Sequence, residues 1–114
     1  HISIRVGDYE KSRNFYSGLF GFLGFEVSED YGSTIGWTNG KTRHWIAAAE
    51  GRKKHRIGEV GLHHYAFKLR RRKDVDALQG YLEGVRIVDP AAEYDEDYYA
   101  VFLLDPDGLK FEGM

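Results

Sequence analysis

Residues 64–69 read His-Tyr-Ala-Phe-Lys-Leu, and residues 1–6 read His-Ile-Ser-Ile-Arg-Val. In both, a histidine opens a strict alternation: Ile2, Ile4 and Val6 in one case, Tyr65, Phe67 and Leu69 in the other. Such a period-two pattern marks a strand with one buried face. A charged turn and a helical pattern follow each. Over residues 8–23 the apolar side chains Tyr9, Phe15, Tyr16, Leu19, Phe20 and Leu23 recur at spacings of three and four, and Gly21 and Gly24 close the helix. Over residues 74–82 the shorter set is Val75, Leu78 and Leu82. Two halves of one chain thus begin alike.

They also continue alike. After the first helix, strands are expected at 25–27, 33–38 and 44–49, with Asn39-Gly40 as a hairpin turn between the last two. The strand that opens the second half covers 61–69. After the second helix, strands are expected at 86–88, ended by Pro90, at 98–104, and at 109–114 behind the turn Pro106-Asp107-Gly108. The expectation is an α+β chain of two tandem βαβββ modules, residues 1–50 and 61–114, joined by a linker at 51–60 into one domain over 1–114. A βαβββ unit leaves one sheet face open. Two or four such units must pack together, within a chain or across a homodimer.

Composition narrows the function. The chain has 114 residues, 16 Lys+Arg against 18 Asp+Glu, and no cysteine. The charge balance disfavours nucleic acid, which needs a basic face. The absence of cysteine removes disulfides, thiolate nucleophiles and Cys-type zinc sites. No apolar run approaches the roughly 18 residues of a membrane span, and no secretory signal is evident, so the expected setting is cytoplasmic. The basic runs 52–56 and 70–73 read as solvated turns.

Strand parity then collects a candidate site. If His1 faces the concave side of its sheet, so do Ser3 and Arg5. By the same count His64 shares a face with Ala66 and Lys68, and Glu112 shares one with Lys110. Two imidazoles and a carboxylate suit a divalent ion such as Zn, Ni, Mn or Fe. Three protein ligands leave open positions for water or two substrate oxygens. Arg5, Lys68 and Lys110 on that face would favour an anionic substrate. Trp37, Trp45, Tyr98 and Tyr99 are strand aromatics that would wall a pocket or pack in the core. Parity sends His63 to the opposite face, so it reads as structural.

The segment HISIRVGDYEKSRNFYSGLFGFLGFEV (1–27), the segment GLHHYAFKL (61–69) and the closing hairpin YYAVFLLDPDGLKFEGM (98–114) resemble the vicinal oxygen chelate superfamily. That superfamily holds glyoxalase I, extradiol dioxygenases, fosfomycin-resistance transferases and bleomycin-binding proteins. The resemblance implies mixed sheets forming a cupped half-barrel, with His1, His64 and Glu112 as metal ligands, and sites shared between the chains of a dimer. It implies metal-dependent lyase, isomerase or dioxygenase chemistry on a small substrate with vicinal oxygens, Glu112 doubling as catalytic base. For a fourth ligand in the first module, three alignments compete: His44, Ala47 and Glu50. Only Glu50 supplies a carboxylate. The alternative is a bleomycin-resistance-type protein that binds a small molecule without catalysis.

Overall fold

The computed structural model describes residues 1–51, 54–82 and 84–114. Arg52 and Lys53, part of the first basic run, lie outside the described residues. The chain divides into two compact units, His1–Lys53 and Lys54–Met114.

The first unit runs β1 (Ile2–Val6), α1 (Tyr9–Leu23), β2 (Glu26–Asp30), β3 (Thr34–Thr38) and β4 (Arg43–Ala48). The second runs β5 (Tyr65–Phe67), α2 (Arg72–Tyr81), β6 (Arg86–Asp95), β7 (Tyr98–Leu104) and β8 (Lys110–Gly113). Each forms a mixed four-stranded sheet, ordered β1-β4-β3-β2 and β5-β8-β7-β6. The opening strand pairs parallel with the closing strand in both, and the other pairs are antiparallel. The expected pair of βαβββ modules is therefore present, with the same strand order in each.

Local chemistry explains the elements. Asp8 caps α1, its carboxylate accepting from the Lys11 amide at 3.1 Å. Ser12, Tyr16, Leu19 and Phe20 form the buried stripe of α1. Burial of each large side chain contributes about 1.5–3 kcal/mol. Val6, Ile35, Trp37 and Ile46 are the buried apolar residues of the sheet, and Phe20 packs on Trp37. In the second unit the buried apolar residues are Tyr65, Val75, Leu78, Ala100, Val101, Leu103, Leu104 and Phe111.

Two expectations need correction. The strand expected at 86–88 runs on through Pro90 to Asp95. β6 is an edge strand with register shifts along its pairing with β7, so the missing proline N–H breaks no essential ladder. The strand expected at 61–69 is regular only over Tyr65–Phe67, although the Leu69 amide still donates to Met114 O.

The turn before β8 is built from its own side chain. Asp105 Oδ1 accepts from the amides of Asp107 at 2.9 Å and Leu109 at 2.8 Å. Gly108 sits at φ 85, and a Cβ there would lie 2.6 Å from His55 O. Both conditions demand glycine. The segment entering the unit docks on this turn, the His55 amide donating to Asp107 O at 2.9 Å.

Candidate functional site

Along β8, Phe111 turns toward the α2 side and is buried, so Lys110 and Glu112 turn to the opposite face. Glu112 stands between Ala66 of β5 and Phe102 of β7 in the sheet register. It is 2% exposed. A carboxylate so buried must be paired, and both its oxygens are. The Tyr98 hydroxyl donates to Oε1. Burial, reinforced by this bond to the carboxylate, pushes the Tyr98 phenol up to about 12, so it remains a donor at any physiological pH. Oε2 faces His64 Nε2 at 3.0 Å.

His64 lies just before β5, its ring edge-on to Phe102 with centroids 5.8 Å apart. Its other nitrogen, Nδ1, meets Nδ1 of His63 at 2.6 Å. A continuous chain of contacts thus runs His63–His64–Glu112–Tyr98. His63 and His64 both precede the first regular residue of β5, so strand parity does not fix where His63 points. It is therefore a partner of the site instead of the structural bystander expected.

The His64–Glu112 pair fits a divalent metal. Two donors bound about 2.1 Å from one ion at tetrahedral or octahedral angles stand about 3.0–3.4 Å apart. Nε2 and Oε2 have that spacing. Oε1 is held by Tyr98, as ligating carboxylates commonly are. Among the described residues no cluster of three or more His, Asp or Glu forms a metal cage. The remaining candidate, His1, is an exposed residue of the other unit.

The basic residues differ in their surroundings. Lys110 lies on the Glu112 face with Nζ 4.9 Å from the centre of the Phe102 ring. Lys68 is exposed just beyond β5. Arg5 is exposed on β1, and its guanidinium donates to Ala48 O at 3.1 Å.

Two of the four strand aromatics turn to the helix side of their sheets. Trp37 is 2% exposed and packs on Phe20 at 4.9 Å, inside the first unit's core. Tyr99 donates to Asp76 of α2 at 2.5 Å, with the Arg72 guanidinium 5.2 Å from its ring centre. The alternation of β3 and β7 sends both to the helix side. Of the two β7 tyrosines, Tyr98 is the one at the site, and it touches the carboxylate.

The register identifies the first unit's counterpart of Glu112. In the second unit the residue two after His64, Ala66, pairs with Glu112. In the first the residue two after His1, Ser3, pairs with Trp45. Trp45 also pairs with Gly36 as Glu112 pairs with Phe102. An indole thus holds the position of Glu112, and none of the three alignments finds it. Its ring lies over Gly36, where a Cβ would come within 2.7 Å, and lies nearly parallel to Tyr31. Glu50 is beyond β4, lining a cleft of about 400 Å³ with Asp8, Tyr9 and Glu10. His44 points into the core, 5.4 Å from Tyr16 and 4.8 Å from Phe20 between ring centres. Burial lowers its pKa to about 4.

The glyoxalase/bleomycin resistance protein/dioxygenase superfamily model matches residues 1–112. The chain belongs to this superfamily. YqjT of Bacillus subtilis (strain 168), itself uncharacterized, is 32% identical over 98% of this chain and 94% of its own length. A Bacillus halodurans protein classed with the glyoxalases shares 29% identity and a TM-score of 0.84, covering 99% of this chain and 92% of that one. The fosfomycin resistance protein FosX from Listeria monocytogenes, complexed with Mn(II) and a dihydroxypropylphosphonic acid, has the same fold at 20% identity. Its TM-score is 0.74, over 99% of this chain and 85% of that one. As a superfamily member the chain has relatives that are metal-dependent enzymes. Among the described residues no helix is long and apolar enough to cross a membrane.

Proposed function

We propose that this superfamily member is a metal-dependent lyase or isomerase acting on a small anionic substrate with vicinal oxygens. His1, His64 and Glu112 would hold the divalent ion, in a homodimer whose sites draw on both chains. The reading is carried by one observation: a buried carboxylate with one oxygen on a phenol and the other 3.0 Å from an imidazole nitrogen. The superfamily match reaches Glu112 itself, and FosX was crystallised with Mn(II).

When bound, a divalent ion would polarise a substrate oxygen and favour its anionic form. The chain's own residues would do the rest. Tyr98 keeps Glu112 in place through Oε1 while Oε2 remains the working oxygen. Were Glu112 to leave the ion transiently, Oε2 would be free to take a proton from the carbon beside a substrate carbonyl. Lys110, with Arg5 and Lys68, would supply the positive charge for an anionic group, and Phe102 a flat apolar wall.

Metal uptake by untagged protein is the test. The wild type is expected to bind Ni, Zn, Mn or Fe tightly. Glu112→Gln, His64→Ala and His1→Ala should each weaken binding at least 100-fold. An untagged wild type that binds none of these ions would sink the reading. Trp45 at the register position of Glu112 favours the second reading, a non-catalytic small-molecule binder, and that outcome would select it.

A further inference from the structure

We infer that His63 is the positioning residue of His64, holding its ring and selecting which nitrogen faces Glu112. This rests on the proposed role of His64 as a metal ligand. The two Nδ1 atoms are 2.6 Å apart, so exactly one proton lies between them. At the other end of the His64 ring, Nε2 faces the Glu112 carboxylate at 3.0 Å. An imidazole lone pair cannot face a carboxylate oxygen without a proton or a cation between them.

With both rings neutral, two arrangements satisfy both contacts. Without metal, Nε2–H of His64 donates to Glu112, and Nδ1–H of His63 donates to His64 Nδ1. With a cation on Nε2, the proton of His64 must sit on Nδ1 and donate to His63 Nδ1. His63 then carries its own proton on Nε2, toward solvent, since it is an exposed residue. The pair holds two protons in both states, so neither imidazole changes charge. His63 suits this task because imidazole offers either a donor or an acceptor at the same atom. Outer partners of this kind orient ligating histidines and typically change metal affinity about 10–100-fold.

The experiment compares wild type with His63→Leu and His63→Asn. Asparagine can present either an amide N–H or a carbonyl oxygen near the Nδ1 position, whereas leucine presents neither. The probes are Zn and Mn affinity by chelator competition, and the His64 tautomer in metal-free protein from ring nitrogen NMR. His63→Leu should bind metal about 10–100-fold more weakly and show a mixed His64 tautomer, with unchanged circular dichroism. His63→Asn should recover most of the affinity. Affinity within twofold and an unaltered tautomer in His63→Leu would overturn the inference while leaving the metal reading intact. A wild type that binds no metal, yet whose His64 tautomer shifts in His63→Leu, would overturn the metal reading and support the positioning role. A wild type that binds no metal, with an unaltered His64 tautomer in His63→Leu, would overturn both.

Discussion

Glu112 and His44 are both buried ionisable side chains, and their neighbours give them opposite consequences. Glu112 is surrounded by donors. Removing the Tyr98 hydroxyl leaves Oε1 buried without a partner, which costs about 1–3 kcal/mol. Tyr98→Phe should therefore lower the urea-unfolding free energy by about that amount and also weaken metal binding. His44 sits among aromatic rings, and burial takes its pKa from 6.5 to about 4. The folded chain keeps it neutral while the unfolded chain protonates it below about pH 6.5. Its stabilising effect is therefore complete above pH 6.5 and is lost as pH falls toward 4. The loss is about 3 kcal/mol. Denaturant titrations at pH 7 and pH 4 should show this difference between wild type and His44→Phe. Equal pH dependence in both proteins would refute the assignment. That His64 and Glu112 meet was legible from the sequence, because strand parity put both on one face. The partners of these residues were not, because His63 departs from strand parity and Tyr98 reaches Glu112 across the sheet.

Among the elements, β3 and β4 are coupled through one missing methyl. The Trp45 ring lies where a Gly36 Cβ would project, at 2.7 Å. Gly36→Ala should destabilise the first unit by about 1–3 kcal/mol, and Gly36→Ala combined with Trp45→Ala should recover much of it. A double-mutant cycle without coupling would show that the indole moves aside at no cost. In the β7–β8 turn, Gly108→Ala meets both a positive φ and the His55 carbonyl. It should cost more than 1 kcal/mol by chemical denaturation. Element types were readable from periodicity because α1 and β7 carry their apolar stripe in their own residues. The extent of β6 was not, since proline reads as a stop until the strand is known to be an edge.

For the whole molecule, a ligand that binds only the folded protein adds stability by mass action. Metal at 100 times its dissociation constant should raise the unfolding free energy by about 2.7 kcal/mol. Chelator should reverse this, and His64→Ala should show no gain; equal melting with metal and with chelator would count against a metal site. Sedimentation should give about twice the 13.1 kDa chain mass for the proposed homodimer. The duplicated architecture was written in the chain, because hydrophobic alternation and helical spacing are properties of neighbouring residues and recur after 63 positions. The face each aromatic adopts required the folded sheets. Trp37 and Tyr99 went to the helix side and Trp45 to the counterpart position of Glu112, because strand register pairs residues that sequence distance does not relate. Local periodicity specifies what a segment becomes; hydrogen-bonded pairing between segments specifies what each side chain meets.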